Sequence, residues 1–163
     1  SDLRWFTFNP YNFTEAGIAE MKREVAAAGR RLITIIAPYL QANPDYWFYS
    51  ELSTLQENAL TTTPVTNMFV RDFTGETLWT DSRPGKCTLM DFLNEQARAQ
   101  WMDAYSRFEG TDELFYAWND VNDPTIYNGP LLTIPVQALH YRADPHAAPV
   151  LHRDVHNAYA TFE

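Results

Sequence analysis

The sequence holds a single cysteine, Cys87. An intrachain disulfide is therefore impossible, and a zinc ribbon or a CxxC redox site is excluded. Cations are also scarce: 12 Lys and Arg against 21 Asp and Glu leave a net charge of −9. Nucleic acid is recognised by clustered Lys and Arg that neutralise phosphates, and an anionic membrane surface draws on the same groups. Neither partner is expected. No apolar run approaches the roughly eighteen residues that cross a bilayer, so no membrane insertion is expected. No basic-then-apolar segment opens the chain, and a secretory signal is not expected within it. Internal repeats, low-complexity stretches and linkers are lacking too.

Aromatic residues are plentiful: 10 Phe, 9 Tyr and 5 Trp make up 15% of 163 residues, and 45% are apolar. That content excludes a disordered segment. It suits either a dense core or surfaces that stack on sugar faces, and composition alone favours the core. Asn12-Phe13-Thr14 is an N-glycosylation triplet, usable only in a secretory pathway.

Local patterns predict an α/β order. An aromatic loop (Trp5, Phe6, Phe8, Tyr11, Phe13) leads to a helix capped by Thr14, with Ile18, Met21 and Val25 at helical spacing and Gly29 just past its end. The β-branched run Leu32–Ile36 predicts a strand buried on both faces, stopped by Pro38. Asn43-Pro44 predicts the start of a second helix, with Trp47, Phe48, Leu52 and Leu55 inward and a break at Thr61–Pro64. Val65–Val70 and Thr77–Thr80 around Thr74-Gly75 predict a hairpin. Ser82–Lys86 reads as a loop. A third helix is expected after Asn94, with Ala97, Trp101, Ala104, Tyr105 and Phe108 on one face and Gly110 at its end. A second buried strand is expected at Leu114–Trp118, then a long Pro-containing loop, then a helix from about His152 with Val155, Tyr159 and Phe162 in register. A full (β/α)8 barrel needs roughly 250 residues, so two clear central strands point to a partial barrel, a fragment of a larger catalytic domain.

The second strand runs into Asn119-Asp120-Val121-Asn122-Asp123-Pro124. In a parallel α/β barrel, polar residues at the C-terminal strand ends form the active site. A carboxylate and amides beside an indole suit a carbohydrate. An Asx-rich turn closed by Asp123-Pro124 explains the same residues equally well.

Leu-Phe-Tyr-Ala-Trp-Asn-Asp-Val-Asn-Asp-Pro (114–124) resembles the nucleophile motif of the family-31 glycoside hydrolases, Trp-x-Asp-Met-Asn-Glu-Pro. Tyr127-Asn128-Gly129-Pro130, Thr133-Ile134-Pro135, Ala138-Leu139-His140 and His152-Arg153-Asp154-Val155-His156-Asn157 resemble the glucosidase II α-subunit (neutral α-glucosidase) branch. Phe6-Thr7-Phe8, Gly29–Ile35 and Pro84-Gly85 fit as well, so the resemblance covers nearly the whole chain.

The resemblance implies a TIM barrel, of which residues 1–163 are the central part, incomplete at both ends. It implies retaining hydrolysis of an α-linked glucose, with an α-glucoside or N-linked glycan as the substrate. Asp120 is the implied nucleophile. Trp118 and Val121 are expected to line the glucose pocket, and Asn122 and Asp123 to bind substrate and buttress the strand end. The geometry expected of a nucleophile is Asp120 at the C-terminal end of its strand, on the side of the residues that follow Ile36. The acid/base carboxyl is expected on a later strand, outside these residues. No cofactor and no metal are expected. The implied setting is the endoplasmic reticulum lumen, with a regulatory β-subunit as partner. Three positions depart from the family: Ala37 where Asp precedes Pro, Arg83 where a pocket Trp stands, and Asp123 for Glu. They motivate the alternative of a non-catalytic homologue that binds glycans or acts as a scaffold.

Other constellations predict structure rather than chemistry. His152 and His156 lie on one helix face, but Arg153 stands where a zincin needs Glu. Asp120-x-Asn122 lacks the Gly and Glu of a calcium loop. Cys87 reads as a buried small hydrophobe, and Trp47, Trp79 and Trp101 as core residues.

Overall fold

The structure, a computed structural model, describes residues 3–62, 67–109, 115–144 and 146–162. Of the break expected at Thr61–Pro64, Thr61 and Thr62 are helical instead, while Thr63 and Pro64, the Val65 start of the hairpin, Gly110 and Leu114 lie outside the described residues, as do the side chains of His156 and Phe162.

After the aromatic loop, α1 (Glu15–Ala27) starts at Thr14, whose hydroxyl accepts the Gly17 N–H at 3.1 Å. Gly29 sits past its end at φ 64, where a Cβ would be strained. The chain then enters β1 (Leu32–Ile36), passes Pro38 into the short β2 (Tyr39–Gln41), and forms α2 (Trp47–Thr62). The helix begins later than Asn43-Pro44 predicted. Asn43 instead caps a turn: its carbonyl accepts Tyr46 N–H and its side chain accepts Asp45 N–H.

The expected hairpin around Thr74-Gly75 is present but short, with Arg71 and Thr77 forming an antiparallel bridge. Val70 and Leu78 are joined by one backbone hydrogen bond, and Asp72 and Glu76 close the turn around Gly75. The strands proper are β3 (Thr80–Ser82) and β4 (Gly85–Leu89), so the segment read as a loop is a tight turn that pairs Ser82 with Gly85 at φ 83. The three strands form an antiparallel sheet in the order β2-β4-β3. Then come α3 (Glu95–Glu109), β5 (Phe115–Asn119), the small antiparallel pair β6 (Leu139–His140) and β7 (Val150–Leu151), and α4 (His152–Phe162). No closed barrel forms among the described residues.

β1 and β5 pair in parallel, Leu32 opposite Phe115 through Ile36 opposite Asn119. The connection between them carries the antiparallel sheet, α2 and α3. Most of the core lies in that connection, and its centre is aromatic. Phe6 meets Trp101 and Phe48 edge to face at centroid distances of 5.0 and 5.5 Å, and Phe92 meets Trp101 at 5.2 Å. Rings in this arrangement set positive edges against negative faces. Of the three indoles expected in the core, Trp101 is buried and Trp47 half-buried. Trp79 is exposed, with the Lys86 ammonium over its ring at 4.8 Å. Cys87 is fully buried, as expected, and Thr80 Oγ1 lies 3.1 Å from its sulfur. Burial pushes its thiol pKa up to about 11.

β1 is not buried on both faces. Ile33 and Ile35 are 68% and 47% exposed, and their register partners Tyr116 and Trp118 are 49% and 56% exposed. Register partners in a sheet point to the same side, so these four form one open apolar row. α1 likewise has no buried residue.

Candidate active site

β1 and β5 end together because they run parallel and in register. The next residue, Asp120, donates its N–H to the Ile36 carbonyl at 2.8 Å and extends the ladder by one rung. Asp120 therefore stands at the C-terminal end of the parallel pair, at the same end as the residues that follow Ile36. The residue is partly buried. Trp118, two residues back on β5, presents a largely exposed ring at the same end.

Val121 takes an unusual backbone conformation. Its φ is 56, in a left-handed region that β-branched residues avoid. Holding such a residue there costs about 1–3 kcal/mol, which the surroundings must impose. Val121 is partly buried and packs against the core. Asn122 is partly buried and engaged, and Asp123 is exposed. The Asp123 carboxylate accepts the Thr133 hydroxyl at 2.8 Å. It braces the following loop.

The antiparallel sheet holds that loop from the other side. The Tyr39 phenol oxygen accepts Thr125 N–H at 2.6 Å, and the Ser82 hydroxyl donates to the Thr125 carbonyl at 2.6 Å. Tyr127 N–H donates to the Asp81 carbonyl, and Asp81 N–H donates to the Asn128 side chain. Burial raises the Tyr39 pKa, so its phenol stays protonated. Sequence reasoning missed Tyr39 and Ser82. The only signal was that Tyr39 follows Ala37-Pro38, where the family has Asp-Pro-His.

Two of the three departures have clear places. Ala37 is buried at 3% exposure, directly beyond β1, and leaves no carboxylate there. Arg83 is exposed in the β3–β4 turn.

The His-containing motifs lie elsewhere. His140 Nδ1 sits 2.8 Å from Asp91 Oδ1, and His140 Nε2 sits 3.0 Å from His152 Nδ1. Asp91 also accepts Tyr141 N–H at 2.5 Å. All three side chains are buried, and Tyr159 packs on both imidazoles. This chain ties the start of α4 to β6 and to the turn before α3. Among the described residues, no group of three or more His, Cys, Asp or Glu is placed to hold a metal ion. A cavity of about 420 Å³ opens between the 4–11 loop and Asp45–Trp47, and none of the residues after β5 lines it.

Comparison with known proteins places this geometry. The family model of the "Glycosyl hydrolases family 31 TIM-barrel domain" matches residues 1–163. A probable glucan 1,3-alpha-glucosidase of Arabidopsis thaliana is 30% identical over 161 residues, 98% of this chain and 15% of that protein. Human neutral alpha-glucosidase AB is also 30% identical, over 98% of this chain and 15% of its own length. Among solved structures, the ER glucosidase II heterodimer of catalytic subunit and regulatory-subunit binding domain superposes with a TM-score of 0.79. It is 29% identical, covering 99% of this chain and 16% of the matched one. The chain thus spans about a sixth of the relatives it matches. Among the described residues, no helix is long and apolar enough to cross a membrane.

Proposed function

Because the chain belongs to the TIM-barrel domain of glycosyl hydrolase family 31, we propose that it carries the nucleophile side of a retaining α-glucosidase. The observation that carries this reading is Asp120, held by Ile36 at the C-terminal end of the parallel pair. Active sites of α/β barrels are built at that end. Residues 1–163 are then the central part of the catalytic barrel.

In this mechanism an Asp120 carboxylate oxygen attacks the anomeric carbon as the glycosidic bond breaks, giving a glycosyl ester. A second carboxylic acid, about 5–5.5 Å away, protonates the leaving oxygen and then activates water. That acid is supplied by another barrel strand. Trp118 offers its exposed indole to the sugar ring, and Val121 borders the pocket. Asn122 and Asp123 stand beside it, Asp123 acting through the loop it braces. The relatives' names support α-glucosidase chemistry, the endoplasmic reticulum as the setting and a regulatory subunit as the partner, and the resemblance to glucosidase II adds glucose on an N-linked glycan as the substrate.

The test is Asp120→Asn in the intact protein, assayed on an aryl α-glucoside. An amide cannot form the ester, so hydrolysis falls by several orders of magnitude, on the order of 5 kcal/mol or more of barrier. Near-normal turnover in this variant would remove Asp120 from the mechanism.

The buried Ala37 favours a second reading. With no carboxylate at that position, a glucose-hydroxyl contact is lost, and the protein would bind or scaffold glycans without cleaving them. Retained glycan binding with no Asp120-dependent hydrolysis in the parent protein would support this alternative.

A further inference from the structure

We propose that Tyr39 and Ser82 are positioning residues for Asp120, acting through a two-point clamp on Thr125. The proposal rests on the reading of Asp120 as the nucleophile. The segment from Asp120 to Thr125 is tethered at both ends by one stretch of chain. Ile36, the last residue of β1, holds Asp120 N–H at 2.8 Å. Three residues on, the Tyr39 phenol holds Thr125 N–H at 2.6 Å. Ser82 closes the clamp by donating to the Thr125 carbonyl, also at 2.6 Å. Both backbone groups of Thr125 are thereby engaged by side chains of the antiparallel sheet, and both of those side chains are buried, Tyr39 at 1% and Ser82 at 4% exposure.

Between the tethers sits Val121 at φ 56, next to the carboxylate. A β-branched residue stays in that region only while its surroundings over-determine it. Releasing Thr125 lets Val121 return to a negative φ, and the peptide it shares with Asp120 turns with it. The carboxylate then leaves the line of attack. The clamp is separable from the sheet that bears it. Tyr39 is paired with Leu89 through its backbone, so removing the phenol oxygen frees the Thr125 N–H, opens one of the two points of the clamp and leaves the β2·β4 ladder in place.

The experiment uses the intact protein and 5-fluoro-α-glucosyl fluoride, with mass spectrometry of the labelled peptide. With this reagent the Asp120 carboxylate oxygen bonds to the anomeric carbon, the C1–F bond breaks and fluoride leaves, while the C5 fluorine stays on the label. The first chemical step is thus read without a general acid. Tyr39→Phe is expected to lower the labelling rate constant at saturating reagent on the order of 10–100-fold, as a displaced nucleophile does. The half-saturating reagent concentration stays near its parental value. Ser82→Ala gives a smaller loss, and Ser82→Thr, which keeps the hydroxyl, restores the rate. A purely structural role would lower thermal stability without this split between rate and half-saturation. Label on Asp120 at the parental rate in both Tyr39→Phe and Ser82→Ala would overturn the clamp while leaving the nucleophile in place. Label on another residue in the parent protein would overturn the nucleophile assignment, and the clamp with it. If Tyr39→Phe fails to fold, the Ser82→Ala and Ser82→Thr pair decides.

Discussion

The antiparallel block and the parallel pair are built to different standards. In the block, Leu40, Leu52, Cys87, Leu89, Met90 and Phe92 are wholly buried. In the pair, Ile33, Ile35, Tyr116 and Trp118 stand open along one face, and the adjoining α1 has no fully buried residue. Yet the candidate nucleophile grows from the pair, and the block reaches across with Tyr39, Asp81 and Ser82 to hold the loop beside it. Packing density and chemistry are thus assigned to different regions, and a few hydrogen bonds couple them.

Unfolding experiments can break that contrast. Trp101→Ala removes the ring at the centre of the aromatic core. It should cost about 3–5 kcal/mol in denaturant unfolding. A loss under about 1 kcal/mol, the scale of a surface change, would show that the block is not where stability resides.

The block should also betray itself at high pH. The Cys87 thiol has its pKa raised to about 11 from an ordinary 9.0 by burial. In the unfolded chain it ionises first, so its contribution is complete below pH 9 and is lost as pH rises from 9 to 11. That contribution is roughly 2–3 kcal/mol. Tyr39 and Tyr46, also raised by burial, add to the same alkaline loss. Stability measured from pH 8 to 11 should fall less steeply in Cys87→Ala than in the parent. Parallel curves would argue against an effectively buried thiol.

In the open region the effects shrink. Thr14→Ala deletes the α1 cap and should cost about 1 kcal/mol, read as faster amide exchange confined to α1. Protection lost in α3 as well would mean that α1 is coupled to the block. Smallest of all, Ile33→Ser should change stability by no more than about 0.5 kcal/mol. A larger loss would show that the open row is covered in solution.

The same contrast explains what the sequence made legible. α1 was readable because Thr14 and Gly29 are local punctuation, and β1 because a β-branched run ends at Pro38. The start of α3 was readable too, since Asn94 accepts Gln96 N–H as a cap should. The three-stranded sheet was not readable. Thr80-Asp81-Ser82 carries no strand pattern, and Ser-Arg-Pro-Gly-Lys reads as a loop when it is a hairpin turn. The openness of β1 was also hidden, because a β-branched run looks the same whether both faces are covered or one is bare. At the site, Asp120 was legible through its motif. Tyr39 and Ser82 were not, since their partner Thr125 lies 86 and 43 residues away. The histidine motifs that made the resemblance most specific serve a buried network, for Asp91 lies 49 residues before His140.

The pairing of Leu32 with Phe115 has a further consequence, for the search the chain must make to fold. Bringing together two strands more than eighty residues apart carries a loop-closure entropy that grows with the logarithm of the free length, and pairings this distant in sequence form slowly. Here the intervening length is not free. β2 meets β4, and β4 meets β3, within a stretch that ends before α3. Once that stretch has collapsed on its own core, it is a compact bead whose two ends leave near each other. The loop left to close is then the part that runs from Met90 through α3 to Phe115, much shorter than the full separation in sequence.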